Sequence, residues 1–365
     1  MKRGVETTQD EATRPLGAFD LLRKKYSRVW PALSEARERT AHRIAHLQTL
    51  DLPQSDNTTL VVFGSFARGE LTAGSDIDWS LLLDGPSDPE HFRLAREIKE
   101  RLAGADLLEP GTTETFGTLA SSHELIHHIG GIRDTNQNMT RRILLLLESQ
   151  AINNEIVHER VLRGILNRYI VSGQSVSWRS RPSVVVPLFL LNDIVRFWRT
   201  MTVDYAAKRW EQPDGKWALR NAKLRMSRKL LFVAGLAMCF SFELSPPQDR
   251  DKILADEEMM PALLAGFFLE QTRLKPIDLL CGLLLRQNNE EIVAGVLDSY
   301  DAFLDLLGNE EKRVHLAELQ FDQADRDELF AEVRNMSQRF QSGLTRLVFG
   351  ADEQLRDLVI RYGVF

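Results

Sequence analysis

The hydrophobic positions alternate between helical and strand-like spacing over the first third of the chain. Apolar residues three and four positions apart predict a helix from Leu16 to about Leu50, and "TLVVF" (59–63) predicts a buried strand. The following "GSFARGEL" predicts a turn that opens into a short helix, and "DIDWSLLL" (76–83) predicts a second strand.

Helical spacing dominates the rest of the chain. Residues 87–104 carry helix start and stop signals, and "TTETFGTLA" (112–120) predicts a third strand. From about Asn136 the pattern is helical, apart from a serine-rich linker at 172–186. The sequence therefore predicts an α+β protein with a small mixed sheet followed by helices. Its predicted parts are a disordered tail (1–15), a core with an N-terminal helix (16–135) and a helical domain (136–365).

Composition and charge narrow the class of protein. The 365 residues are 43% hydrophobic, which is enough for one large or two medium domains. A formal net charge of −6 excludes a basic coat for nucleic acid, so contact with phosphates requires a local basic patch. The polar N-terminus has no following apolar segment, and the apolar run 230–240 is shorter than a membrane span. We expect a cytoplasmic protein that does not enter a membrane, with Cys239 and Cys281 as reduced core residues.

Two aspartates one residue apart are the strongest chemical signal. Side chains alternate across a strand, so Asp76 and Asp78 are predicted to point to the same face. Two carboxylates on one face form half of a cage for Mg²⁺, which completes its shell with phosphate oxygens and water. The sequence therefore predicts Asp76 and Asp78 as metal ligands.

The turn before these aspartates supplies groups that suit a phosphate. Gly64 permits close approach of the backbone, and Ser65 offers a hydroxyl donor. Arg68, one helical turn later, is predicted either to contact phosphate or to pair with an acid. The alternative for the whole stretch is a surface hairpin that happens to carry acids.

The motifs "GSFARG" (64–69) and "SDID" (75–78) together resemble the signature of the DNA polymerase β-like nucleotidyltransferase superfamily, in its minimal members. The resemblance implies transfer of a nucleoside monophosphate from an NTP or dNTP to a hydroxyl, with release of pyrophosphate and two Mg²⁺ or Mn²⁺ ions. Related enzymes commonly grip the donor phosphates with a lysine and a serine of the helical domain, for which Lys223 and Ser227 are the candidates. The resemblance does not imply an acceptor.

Many relatives carry a third catalytic acid on a later strand, and here its identity stays open. Glu114 is the best positional candidate, followed by Glu124 and Asp134. The alternative for each is a solvated loop acid or a helix cap. If none of them serves, the protein binds one metal firmly or is a degenerate relative.

Two basic segments lie further along the chain. Arg141 and Arg142 are predicted either to close the nucleotide pocket or to lie exposed on an amphipathic helix. Residues 191–229 hold ten basic and four acidic residues, a local charge of +6, with Lys216, Arg220, Lys223 and Ser227 at helical spacing. This segment is predicted to contact a triphosphate or an oligonucleotide backbone. Its alternative is a solvated face with core tryptophans.

Three functions remain open for the sequence. The size and layout resemble bacterial defence nucleotidyltransferases of the Hailong type, which build single-stranded DNA from a protein hydroxyl, and Tyr362 is the candidate acceptor. We therefore favour template-independent oligonucleotide synthesis in bacterial defence, which leaves room for an effector protein as partner. The alternatives are a toxin-like or regulatory transferase acting on tRNA or a protein, and a catalytically inactive nucleotide-binding module. For Tyr362 the alternative is an aromatic residue that packs the last helix.

Overall fold

The computed structural model describes residues 17–104, 116–173, 184–211 and 216–364. A four-stranded mixed sheet forms the core, with strand order β3-β2-β1-β4. β1 pairs antiparallel with β2 and with β4, and β2 pairs parallel with β3. The strands are β1 Thr58–Phe63, β2 Trp79–Leu83, β3 Thr118–Ser121 and β4 Ser149–Ala151.

Helices surround this sheet and make up most of the rest of the described chain. The helices before and around the sheet are α1 Ala18–Tyr26, α2 Pro31–Thr49, α3 Gly64–Arg68, α4 Glu90–Gly104, α5 Ser122–His127, α6 Asn136–Leu147 and α7 Glu155–Gly173. The later ones are α8 Leu188–Glu211, α9 Trp217–Lys223, α10 Lys229–Leu244, α11 Pro247–Leu254, α12 Met260–Thr272, α13 Pro276–Gln287, α14 Glu290–Gly308, α15 Glu310–Glu318, α16 Glu328–Phe349 and α17 Glu353–Leu358. A π turn, Leu224–Arg228, joins α9 to α10 without a break, and a second π turn, Val359–Val364, follows α17.

Both faces of the sheet are covered, since β1 contributes residues to two cores and all six of its residues are buried. Val61 and Phe63 pack into the large core formed mainly by the helices. Leu60 and Val62 alternate with them and pack into a smaller core on the opposite face, together with Trp79. This arrangement confirms the predicted α+β class, and Phe66, Leu71 and Ile77 anchor the segment between β1 and β2 in the smaller core.

Several predicted elements differ from the observed ones. The N-terminal helix is two helices, because Ser27 ends α1 in a left-handed conformation and Pro31 starts α2. The second strand begins at Trp79, so the two aspartates precede it. β4 lies inside a segment predicted to be helical, because only its pairing with β1 makes it a strand. The predicted division of the chain at residue 135 stays a prediction, although β4 shows that the sheet draws on residues beyond it.

Some predictions fall outside the described residues, namely the tail 1–15, most of the linker 172–186, and Glu114. Cys239 and Cys281 are free thiols buried in the large core, where burial raises the pKa of both. Across the described ranges, no single helix is long and apolar enough to cross a membrane; the bent pair Trp217–Leu244 and Pro247–Leu254 meets that criterion only when taken together, by length and composition.

Candidate nucleotidyltransferase site

Gly64 connects β1 to α3 in a conformation that other residues adopt at a cost. Its φ is +63°, in the left-handed region. A Cβ atom at this position would lie 2.8 Å from Oδ2 of Asp78, which is closer than side-chain carbons approach other atoms. Gly64 is therefore required both by the backbone angle and by the carboxylate that lies against it.

Asp76 and Asp78 lie in the extended segment that leads into β2. The backbone of Phe63 donates a hydrogen bond to the carbonyl of Asp78, at 2.8 Å, which ties this segment to the end of β1. Ile77 between them is 1% exposed and packs in the smaller core, so the flanking carboxylates face away from that core. Burial raises the pKa of Asp78 to about 6, the negative charge of Asp76 adds to the rise, and Arg228 opposes it.

The helical part of the protein contributes Lys223 and Ser227, which are candidates from the sequence, and Arg228, which the sequence does not mark individually. Lys223 ends α9, and Ser227 and Arg228 lie in the π turn that follows. The Ser227 hydroxyl donates to the carbonyl of Lys223 at 3.2 Å. Reduced hydration lowers the pKa of Lys223, and the negative charge of Asp76 opposes this shift.

These residues meet in one cavity of about 70 Å³ between the sheet and the helices. This volume is far below that of a site that encloses a drug-sized ligand, roughly 300–1,000 Å³. It suits a hydrated ion or a few phosphate oxygens. A second cavity of about 730 Å³ adjoins it, since both are lined by Thr72 and Leu304. The lining of the small cavity includes Gly64, Ser65, Arg68, Asp76, Asp78, Lys223, Ser227, Arg228, Phe303 and Arg313.

Arg68 takes part in a buried network of charges beside this cavity. Its guanidinium bonds Glu70, at 2.7 Å, and Glu148. Tyr300 of α14 donates to the second oxygen of Glu70, at 2.8 Å, and Arg228 donates to Glu148 at 3.2 Å. Although burial lowers the pKa of Arg68, the two carboxylates outweigh it and hold that pKa well above its usual value. The charge of Arg68 is thus already neutralised by acids.

Sequence reasoning did not single out Glu148. It follows a run of four buried leucines at the end of α6 and precedes β4, and its side chain is 1% exposed. An ionisable residue that closes a buried apolar run is the signal that marks such a position, because a buried carboxylate needs a partner. Helical spacing predicts that the helix continues past Glu148, so the sequence alone does not distinguish this residue from other helical positions.

The donor set of Asp76 and Asp78 fits a divalent cation. In the described structure neither carboxylate accepts a hydrogen bond from a protein group, although Asp78 is largely enclosed. Hard oxygen ligands with no protein donor are suited to Mg²⁺. Within the described ranges, no group of three or more His, Cys, Asp or Glu side chains has metal-binding geometry. The third acid thus stays a prediction at Glu114.

The other two candidates for the third acid do not line the small cavity. Glu124 is exposed on α5. Asp134 forms a two-pronged ion pair with Arg142, with both distances at 2.8 Å.

Arg142 is completely buried and also bonds Tyr169 and Asp193, at 3.0 and 3.1 Å. Arg141 donates to Thr118 on β3 at 3.0 Å. Neither arginine lines the small cavity. The geometry of Arg142 is that of a structural ion pair.

The basic residues of segment 191–229 do not all lie on one surface. Lys216 precedes α9 in a left-handed conformation and lies exposed, whereas Lys223 and Ser227 line the cavity. Trp217 is buried, donates to the carbonyl of Leu319 and packs edge-on against Phe330. This tryptophan is therefore a core residue, as in the alternative interpretation.

Tyr362 lies in the C-terminal π turn and packs, partly buried, against the large core. It does not line the small cavity. Its use as an acceptor stays a prediction and requires this last turn to leave the core.

Comparison with protein families assigns a class to the segment that holds the two aspartates. A family model described as a nucleotidyltransferase domain matches residues 46–109. This range contains β1, α3, the two aspartates, β2 and α4, and the match supports transfer of a nucleoside monophosphate in general terms. Comparison with curated proteins finds no match.

Proposed function

We propose that the protein is a metal-dependent nucleotidyltransferase that moves a nucleoside monophosphate from an NTP or dNTP to a hydroxyl group. The observation that supports this most is the meeting of Asp76 and Asp78 with Lys223 and Ser227 in one small cavity. The aspartates precede β2 and the other two residues lie about 150 positions later, at the end of α9 and in the π turn. The aspartates suit a metal ion, and Lys223 and Ser227 suit the phosphates of a nucleotide bound to it.

Each residue has a role in this proposal. Asp76 and Asp78 would hold Mg²⁺ or Mn²⁺, which when bound polarises phosphate oxygens and favours an ionised attacking hydroxyl. Gly64 and Ser65 contact the phosphates, and Lys223 and Ser227 hold the β- and γ-phosphates. The acceptor oxygen bonds to the α-phosphorus, the bond from that phosphorus to the bridging oxygen breaks, and pyrophosphate leaves with the electron pair. The nucleoside extends outside the small cavity because that cavity is too small to enclose it.

The proposal also names the molecule that accepts the nucleoside monophosphate. We favour a nucleotide or oligonucleotide end, which makes the protein a template-independent polymerase or signal synthase in bacterial defence. The charge of +6 over residues 191–229 supports a polyanionic acceptor. A tRNA or protein acceptor is the competing prediction, and a catalytically inactive binding module is the one from another class.

One experiment distinguishes these alternatives. The purified protein is incubated with each labelled NTP and dNTP and Mg²⁺ or Mn²⁺, with and without tRNA, and the products are resolved by size. Ladders or one discrete oligonucleotide support the favoured acceptor, whereas label only on tRNA or on another protein supports the competing one. Label retained on the protein and lost in Tyr362→Phe supports self-priming. Absence of turnover under every condition contradicts the enzyme proposal.

A further inference from the structure

The π turn Leu224–Arg228 changes which side chains reach the small cavity. In a regular α-helix, at about 100° per residue, residues five apart point roughly 140° away from each other. A π turn instead closes hydrogen bonds between residues five apart, so these residues lie over one another. Lys223 and Arg228 are five apart, and both line the cavity, with Ser227 between them in sequence.

Glu148 holds the Arg228 side chain in place. The pair joins Nη1 of Arg228 to Oε1 of Glu148 at 3.2 Å, and the Glu148 side chain is 1% exposed. The other oxygen of Glu148 is already bonded to Arg68, so the carboxylate is fixed from two sides. Because Glu148 is buried and is itself held by Arg68, its position limits where the Arg228 guanidinium can lie.

Arg228 keeps donors available after this pairing. A guanidinium has five N–H donors, and within the described residues only Nη1 of Arg228 has a protein partner. Its side chain is 33% exposed. It lines the same cavity as Asp78, the carboxylate that is predicted to hold the metal, and its positive charge opposes the rise that burial causes in the pKa of Asp78. Arg68, by contrast, is nearly buried and bonded to two acids.

We infer that Arg228 is a further phosphate-binding residue of this cavity, and that Glu148 is the positioning residue that directs its guanidinium toward the polyphosphate chain. The inference rests on the proposed function for its ligand. A planar fork that has one nitrogen held by Glu148 and the others open suits two oxygens of a phosphate group. The π turn is the element that brings this fork to the side where Lys223 lies.

The test measures binding of inorganic tripolyphosphate with Mg²⁺ by calorimetry, so it does not depend on turnover. Arg228→Ala is expected to weaken binding about 10–100-fold, the range for a lost hydrogen bond to a charged group. Arg228→Lys keeps the charge without the fork and is expected to fall between. Arg225→Ala is the matched control, because Arg225 lies in the same π turn, bonds Ser337 and does not line the cavity. It is expected to bind within about twofold of wild type.

The positioning role of Glu148 needs a separate comparison. Glu148→Gln is expected to weaken binding less than Arg228→Ala, and the double variant to bind no more weakly than Arg228→Ala alone. Additive losses contradict a role exerted through Arg228. Thermal melting of each variant shows whether it is folded.

The outcomes also separate this inference from the proposed function. Unchanged binding in Arg228→Ala, equal losses in Arg225→Ala, or no tripolyphosphate binding by the wild type overturns the inference, even if nucleotidyl transfer is observed. Absence of transfer by a wild type that binds tripolyphosphate through Arg228 contradicts the proposed function and supports the inference.

Discussion

At the residue scale, the carboxylate of Asp78 lies close against Gly64. A methyl group on residue 64 would have to displace that carboxylate or the turn itself. We expect Gly64→Ala to lower metal-dependent transfer by at least about tenfold, because a displacement of about 1 Å at a reacting centre has effects of this size or larger. The measurement is the initial rate of transfer at saturating Mg²⁺.

Gly130→Ala is the control for backbone strain. Gly130 also has a positive φ, of +71°, but a Cβ there meets nothing within 4 Å. It is expected to lose about 1–2 kcal/mol of stability from the left-handed backbone and to keep its activity. Equal activity losses in the two variants would contradict the proposed contact.

The raised pKa of Asp78 predicts how the metal-free protein responds to pH. With a folded pKa of about 6 against 3.8 in the unfolded chain, the folded state holds the proton more tightly. The free energy of unfolding therefore falls as pH rises from about 4 to 6, by at most about 3 kcal/mol. Asp78→Asn removes this charge, so in EDTA we expect it to melt above wild type at pH 8 and close to it at pH 4. A variant that melts below wild type at pH 8 would show that ionised Asp78 is stabilised by its surroundings.

At the element scale, β4 and the end of α6 show why part of the site was hidden from the sequence. The glycine-serine turn and the two aspartates are local features, and spacing alone located them. Glu148 and β4 depend on pairing with β1, about 90 positions earlier, which no local pattern records. Lys223 and Ser227 line the cavity, and the family resemblance, not a local pattern, suggested them as candidates. Arg228 reaches the cavity through a π turn, which helical spacing does not predict.

The two arginines of α6 are expected to behave differently. Arg142→Ala leaves Asp134 and Asp193 without their buried cation, so we expect a loss of about 3–5 kcal/mol of stability. Arg141→Ala removes a hydrogen bond to Thr118 and is expected to lose about 1 kcal/mol. Urea unfolding of both variants gives these values. If Arg142→Ala keeps wild-type stability and loses nucleotide binding, the interpretation of Arg142 as a structural residue is wrong.

At the scale of the whole molecule, the cavity is formed where residues of α14 and of the π turn face the segment between β1 and β2. Tyr300 of α14 bonds Glu70, which lies 230 positions earlier, and Phe303 lines the cavity. The fold class was predictable from hydrophobic spacing, since a few strands are followed by many helices. The closure of the site by the helices was not, because it depends on contacts between distant segments of the chain.

The central claim is that Asp76 and Asp78 hold the metal for nucleotidyl transfer. Its most direct test compares wild type with the double variant Asp76→Asn/Asp78→Asn, using labelled NTPs and dNTPs with Mg²⁺ or Mn²⁺, and with EDTA as control. We predict labelled product from wild type, none with EDTA, and at least a hundredfold loss in the double variant, since metal stabilisation of a transition state is worth several kcal/mol. Equal product from both proteins, or product from neither, would contradict the account.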